Sequence, residues 1–264
     1  MKKLIAISIV LVLTAVTTSV AYAAPALPSD DFYDNSRNTS MWNLYEDSHA
    51  NAWLDQANHQ LELHSTTDAI MSTAVYYSNG WGLSTASNFS FRVDFHNGST
   101  SGPDFSGIEV ELGFGKGIGD LERIKSNNIS ISASSYLDQN GSHPRFDYYK
   151  TTNDIEDDKQ DTRNENDGIL YISYDASLNS LYLSTTSYGS ANSFWTLENI
   201  LQGEWNCTAV SPFLGGWADK RELTSGDAFL DNFVVDSGTV VYIPEPATIC
   251  LLSLGALSLL RRKK

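Results

Sequence analysis

The sequence Ile108-Glu-Val-Glu-Leu-Gly-Phe114 places an apolar residue at every second position. Successive side chains of an extended strand point to opposite faces of a sheet. The run therefore predicts a strand with one face in a hydrophobic core and the other face outside. Glu109 and Glu111 would stand together on the outer face.

The same alternation recurs through the chain between residues 24 and 240. It is clearest at residues 89–95 and 129–133, and residues 228–235 form a last apolar-rich segment. The segments 169–174 and 181–185 flank a polar stretch with turn composition, which predicts a hairpin. Helix signals are nearly absent here. We therefore predict one all-β domain over residues 24–240, an antiparallel sandwich of the jelly-roll kind.

The order of these motifs resembles the concanavalin A-like lectin and glucanase superfamily. The stretch Asp30–Ser36, then Trp42, then Asn58–Leu63 resembles the first strand of that family and the turn into its second. The stretch Gly226–Val235 resembles its final strand. The resemblance implies that the two ends of the domain pair side by side, and it implies a glycan as the ligand class.

The N-terminus has the three parts of a secretory signal peptide. Lys2 and Lys3 precede an apolar run at residues 4–16, and Ala21-Tyr22-Ala23 supplies small residues at a cleavage site. We therefore expect signal peptidase to remove residues 1–23 by cutting between Ala23 and Ala24. A membrane anchor that is retained is the alternative.

Residues 241–264 form a second targeting segment. Pro244, Glu245 and Pro246 precede an uncharged run at residues 247–260 and a basic end, Arg261, Arg262, Lys263 and Lys264. Together with residues 240–243, the run approaches the roughly 20 residues that span a bilayer, and the basic end marks the cytoplasmic side. The segment resembles the PEP-CTERM sorting signal of Gram-negative bacteria. The resemblance implies transient insertion of a transmembrane helix into the inner membrane and its removal by an exosortase, a transpeptidase-like enzyme. An ordinary tail anchor is the alternative.

The charge balance excludes one class of partner. The chain has 32 acidic and 17 basic residues, a formal net charge of −15, and six of the basic residues belong to the two targeting segments. A nucleic-acid-binding surface needs clustered Lys and Arg, so we expect no nucleic acid partner. Neutral glycans, or divalent cations that bridge to an acidic polymer, suit such a surface better.

Glu109 and Glu111 are the candidate catalytic residues. On one face of a strand their carboxylates would stand roughly 6–7 Å apart, near the separation used in glycoside hydrolysis. Laminarinase-like glucanases of the superfamily carry Glu-x-Asp-x-x-Glu on a concave strand. Here Glu111 stands where that pattern has Asp, and Phe114 stands where it has its second Glu. The acid/base residue is therefore missing by that comparison. We expect a solvated, non-catalytic strand face.

An acidic segment is a weaker candidate site, for a metal ion. Seven acidic residues lie between Asp154 and Asp167, and among them Asp157, Asp158 and Asp161 would offer oxygen ligands for Ca²⁺. The spacing of a known calcium loop is absent, so we expect a mobile surface loop and no cofactor.

Trp81 is the candidate glycan-binding aromatic residue. It stands between Gly80 and Gly82, which predicts a ring on a loop, free to stack on a sugar. Packing of this ring in the core is the alternative.

Together these features predict an exported, non-catalytic protein. It would lie at the cell surface or in the exopolysaccharide matrix of a Gram-negative bacterium, where its jelly roll would bind extracellular polysaccharide or act as a structural component. A secreted glycosidase that uses Glu109 and Glu111 is the alternative function.

Overall fold

The computed structural model describes residues 26–46, 51–98, 102–118, 125–163 and 165–242. The predicted signal peptide with its cleavage site at Ala23 and Ala24 lies outside the described residues, as does the sorting segment from residue 243 onward with its predicted membrane helix. Within the described ranges, no helix is both long enough and apolar enough to cross a membrane.

Nearly all the regular structure is β-strand. The strands are β1 (Ser29–Asp30), β2 (Trp42–Glu46), β3 (Ala52–Ala57), β4 (Gln60–Ser65), β5 (Ser72–Ser78), β6 (Trp81–Ser84), β7 (Phe89–Asn97), β8 (Ser106–Lys116), β9 (Asn127–Asp138), β10 (Gly141–Thr152), β11 (Ile155–Thr162), β12 (Asp167–Asp175), β13 (Ser180–Ser184), β14 (Trp195–Glu198), β15 (Ala209–Asp219), β16 (Ala228–Ser237) and β17 (Val240–Tyr242). Short helical turns lie at Ser190–Asn192 and Ile200–Glu204.

The strands form two antiparallel sheets packed face to face. The front sheet has the order β11-β10-β9-β8-β15-β5-β2, with β6 paired to β15 and β17 paired to β6. The back sheet has the order β14-β13-β12-β7-β16-β4-β3, with β1 paired to β16. The predicted all-β antiparallel sandwich is confirmed.

The alternating run that predicted the fold lies at the centre of the front sheet. Its apolar members, from Ile108 to Phe114, are fully buried. Strand β8 pairs with β9 from Ser106–Leu137 to Gly115–Asn128, and with β15 from Gly107–Asp219 to Lys116–Val210, without a register shift. Because no extra residue interrupts either pairing, every odd-numbered position of β8 faces away from the core.

The predicted hairpin and the predicted pairing of the domain ends are both present. Strands β12 and β13 pair, and in their turn the carboxylate of Asp175 accepts the backbone N–H groups of Ser177 and Leu178 at 2.9 and 3.3 Å. Strand β1 pairs with β16 through Ser29 and Val234. The first and last parts of the domain therefore lie side by side.

The acidic segment predicted as a loop is a strand instead. Strand β11 pairs with β10 along its whole length, from Ile155–Thr152 to Thr162–Arg145. All of its residues are exposed, because it is the edge strand of the front sheet. The prediction failed because a strand that is solvated on both faces shows no alternation of apolar and polar residues. Charged side chains on such an edge also hinder pairing with the edge of another sheet.

An aromatic cluster joins the two sheets at one side of the core. Phe233 from the back sheet lies 5.0 Å from the ring of Trp42 and 6.5 Å from the ring of Trp81, both in the front sheet. The indole N–H of Trp42 donates to the carboxylate of Asp30 at 2.9 Å. Phe91 completes the cluster at 6.3 Å from Phe233. Phe233 is therefore the central contact of the cluster.

We expect Phe233→Ala to lower the free energy of unfolding by about 3–5 kcal/mol, because the surrounding rings close only part of the cavity that the substitution leaves. Urea denaturation measures this. Tyr242→Ala is the control: its side chain is exposed, and we expect a change within about 0.5 kcal/mol. A similarly small loss for Phe233→Ala would show that the cluster does not support the core.

Candidate functional site

A groove of about 460 Å³ lies on the outer face of the front sheet. We call it the front groove. It is lined by side chains from six neighbouring strands, which include Thr73, Glu109, Glu111, Ser130, Ser134, Tyr136, Arg145, Tyr149, Thr151, Glu156 and Trp217, and by Met71 just before β5. The line of strands from β5 through β15, β8 and β9 to β10 therefore forms its floor.

Strand register arranges the polar side chains of the groove in rows. One row is formed by partners in adjacent strands, Trp217, Glu109, Ser134 and Arg145. The next row is formed in the same way by Gly215, Glu111, Ser132 and Asp147. Both rows belong to the face opposite the core, as the parity of β8 requires.

Two glycines let large side chains lie against the sheet. A Cβ atom on Gly107 would be 2.7 Å from the ring of Trp217, so the indole lies over this glycine. A Cβ atom on Gly215 would collide with the carboxyl group of Glu111. The absence of side chains at these positions keeps the groove wide and fixes where the ring and the carboxyl group rest.

The paired carboxyl groups are held in unusual protonation states. Burial holds the pKa of Glu109 well above its ordinary value, and repulsion from Glu111 and Asp147 adds to the rise, whereas a hydrogen bond with Ser132 and the charge of Arg145 oppose it. Burial also raises the pKa of Glu111 to about 7, against a hydrogen bond with Ser130. Near neutral pH, Glu111 is therefore divided between its two forms, and burial and the neighbouring carboxylates favour the protonated form of Glu109.

A third carboxylate, Asp147, is fully buried beside them and is paired. The Nε atom of Arg145 lies 2.9 and 3.0 Å from its two oxygens, and the hydroxyl of Ser134 donates to it. The Nη1 atom of the same guanidinium donates to Gln160 at 3.3 Å, and the guanidinium carbon lies 6.0 Å from the centre of the Tyr136 ring. These contacts fix Arg145 at the wall of the groove.

The structure brings together Glu109 and Glu111, as predicted from their spacing. Sequence reasoning missed Arg145, Asp147 and Trp217. Phe114 lies in the core, because the regular register turns position 114 inward. Residue 114 therefore cannot supply the acid/base carboxyl group of the glucanase pattern to this groove.

Trp81 does not lie on a loop, and that prediction was wrong. It is the first residue of β6, its exposed fraction is 3%, and its indole N–H donates to the carbonyl oxygen of Met41 at 2.8 Å. Its ring contacts Trp42 and Phe233 in the core. The flanking glycines suggested a loop, but the ring is unavailable to a ligand.

The three candidate calcium ligands do not converge. Asp157 and Asp158 are neighbours in β11 and point to opposite faces, while Asp157 and Asp161 are separated by about 13 Å along the strand. In the described part of the chain, no group of three or more His, Cys, Asp and Glu side chains is arranged to hold a metal ion. The strand geometry therefore rules out one ion shared by these three residues.

Comparison with known proteins supports two parts of this description. The PEP-CTERM protein-sorting motif matches residues 243–264. No curated protein matches the chain. Lectin II from Ulex europaeus is similar in structure, with 13% identity, coverage of 83% of this chain and 99% of that chain, and a TM-score of 0.51.

Two further solved structures are similar over most of their length. The carbohydrate recognition domain of Emp46p shares 12% identity, with coverage of 80% and 95% and a TM-score of 0.50. A pseudo beta-1,3-glucanase of Mycobacterium tuberculosis shares 12% identity, with coverage of 83% and 99% and a TM-score of 0.49. At these identities the likeness shows the fold alone. The chain thus combines a lectin-like jelly roll with a PEP-CTERM sorting motif, which marks an exported protein.

The raised pKa values predict that stability depends on pH. Unfolded Glu ionises near pH 4.3, at about the ordinary pKa, whereas folded Glu111 does so only near pH 7. The unfolded chain therefore gains charge first, and stability falls as the pH rises from about 4 to 7 and stays lower above that. We expect Glu111→Gln to raise the free energy of unfolding at pH 8 by roughly 2 kcal/mol and to leave it nearly unchanged at pH 4.

Urea denaturation at both pH values measures the difference. Glu198→Gln, on an exposed position of β14, is the matched control and should change neither value. A Glu111→Gln variant with the wild-type pH profile would contradict the assignment.

Proposed function

We propose that this exported domain binds a neutral glycan in the front groove and does not cleave it. The observation that carries the proposal is that aromatic rings and fixed polar groups lie together on the outer face of the front sheet. Trp217, Tyr136 and Tyr149 line the same groove as Glu109 and Arg145. Sugars present apolar C–H faces between hydroxyl groups, and such ligands need both kinds of contact.

The protonation states supply both kinds of hydrogen-bonding group. The raised pKa of Glu109 favours its protonated form, which offers an O–H donor, and the partly ionised Glu111 offers acceptor oxygens. Arg145 has a planar guanidinium already held by Asp147 and Gln160, so ordering it on binding costs little. Carboxyl groups outnumber the single guanidinium here, which disfavours acidic sugars and favours neutral ones.

The absence of cleavage rests on the same geometry. Asp147 is paired with Arg145, and position 114, where the glucanase pattern has its last acid, is buried in the core. Apart from Glu109 and Glu111, the carboxyl group that lines the groove is that of Glu156, on the edge strand β11. Glycoside hydrolysis needs two carboxyl groups that flank the scissile bond. By comparison with the glucanase pattern, the strand that carries Glu109 and Glu111 lacks the acid/base residue.

A secreted glycosidase is the second candidate function. The observation in its favour is that Glu109 and Glu111 have raised pKa values that differ from each other. A pair of this kind can divide the roles of acid and base.

The setting follows from the sorting motif. We propose that signal peptidase and an exosortase process the two ends and leave the domain at the surface or in the polysaccharide matrix of a Gram-negative bacterium. The last strand, β17, ends at Tyr242, two residues before Pro244. Cleavage at the motif would therefore remove no strand of the jelly roll.

We expect Trp217→Ala to weaken glycan binding by tenfold or more, because buried Trp contacts commonly dominate binding energy. A glycan array followed by calorimetric titration of residues 24–242 measures this. Trp53→Ala is the matched control, since Trp53 is a half-buried Trp on the outer face of the back sheet. Equal losses for both variants, or no binding across the array, would overturn the proposed site.

A reducing-sugar assay on the same glycans separates binding from cleavage. We expect no release of reducing ends by the wild-type domain. Release that Glu111→Gln abolishes would replace the binding proposal with the glycosidase.

Mass spectrometry of the mature protein from a host with an exosortase tests the processing. We expect a C-terminus within or close to Pro244–Pro246 and no peptide that contains Arg261 or Lys264. A mature protein with an intact tail through Lys264 would refute processing, whatever the groove binds.

A further inference from the structure

One end of the front groove carries exposed apolar side chains, which we call the apolar lip. It consists of Ile70, Met71 and Phe105, with exposed fractions of 72%, 66% and 54%. Ile70 and Met71 are adjacent in sequence, whereas Phe105 is distant from them. All three lie at the same end of the front sheet, because β5 begins at Ser72, β8 begins at Ser106 and β15, which lies between them, ends at Asp219.

The lip is built on strained backbone. Met71 has a φ of 46° and Phe105 a φ of 60°, and Lys220, directly after the strand between them, has a φ of 55°. Left-handed backbone at residues other than glycine costs of order 1–3 kcal/mol each and persists only where the surroundings enforce it. Such strain concentrates at sites that contact ligands.

Specific hydrogen bonds enforce this conformation. The carboxylate of Asp219 accepts the backbone N–H of Met71 at 3.3 Å, and the backbone N–H of Lys220 donates to the carbonyl of Ala69 at 2.6 Å. On the neighbouring loop, the hydroxyl of Ser106 donates to the carbonyl of Pro103 at 2.6 Å. The fold thus holds apolar side chains in solvent at a cost in stability, which packing of the core does not require.

The lip is continuous with the front groove. Met71 itself lines the groove, and Phe105 stands two residues before Gly107, over which the ring of Trp217 lies. The stretch from Phe105 to Glu111 spans about 20 Å at the rise of a strand. This length exceeds a single sugar ring.

We propose that the apolar lip is a further subsite of the front groove, which contacts the outer rings of a neutral oligosaccharide chain. The domain then recognises several consecutive sugars of a glycan chain and binds a single sugar only weakly. This inference rests on the proposed function, because it assumes that the groove holds the inner sugars. The apolar faces of sugar rings match the exposed side chains of Met71 and Phe105.

Calorimetric titration of the full chain, in a detergent without a sugar headgroup, tests the subsite. The probes are neutral glucans and neutral mannans, each from the monosaccharide to the hexasaccharide. We expect affinity to rise with length, and we expect Phe105→Ala and Ile70→Ala each to weaken hexasaccharide binding about fivefold to tenfold while monosaccharide binding stays unchanged. Leu178→Ala, which removes a similarly exposed side chain at 64% in a back-sheet turn, should change neither affinity.

The outcomes separate the subsite from the groove. Wild-type binding that does not depend on length, or an equal loss for the monosaccharide and the hexasaccharide in Phe105→Ala, would overturn the subsite alone. No wild-type binding to any probe would overturn the proposed function together with the subsite. A dimer by light scattering that Phe105→Ala converts to a monomer, with glycan binding unchanged, would show that a second copy of the chain covers the lip.

Discussion

The unbroken register of β15, β8, β9 and β10 is the constraint on which the rest of the structure depends. One inserted residue would turn every later side chain of a strand to the other face. Because β8 pairs without a shift on both sides, Ile108 and Val110 enter the core while Glu109 and Glu111 reach the groove. A shift of this register would therefore disrupt the packing of the core and the arrangement of the polar site together.

This constraint places groups together that repel each other. Glu109, Glu111 and Asp147 share one patch of the front sheet, and the fold tolerates them through the raised pKa values of Glu109 and Glu111 and the pairing of Asp147 with Arg145. Hydroxyl groups along β9 add hydrogen bonds without adding charge. At neutral pH the buried charge of Glu111 lowers stability, and a neutral residue there would avoid this loss. Under the proposed function, Glu109 and Glu111 are kept for binding at the expense of stability.

The sequence was informative where structure is local. Alternation identified β8 and predicted that Glu109 and Glu111 share a face, because both follow from the geometry of one strand. It could not identify Arg145, Asp147 or Trp217 as their neighbours, since strand pairing between distant segments brings them there. Local signals also failed where the composition of a segment does not match its position in the fold. The glycines around Trp81 suggested a loop for a core residue, and the solvated edge strand β11 shows no apolar period.

The described chain ends on strands that take no part in the front groove. Its last residue, Tyr242, pairs with Trp81 of β6, and no described residue that lines the groove belongs to β6 or β17. Strand β6 pairs with β15 at Ala209 and Val210, whereas the apolar lip lies beyond Asp219, about 30 Å further along β15. If the groove binds a glycan as proposed, binding would therefore require no change in β6 or β17, and processing after Tyr242 would decide only where the bound glycan is held.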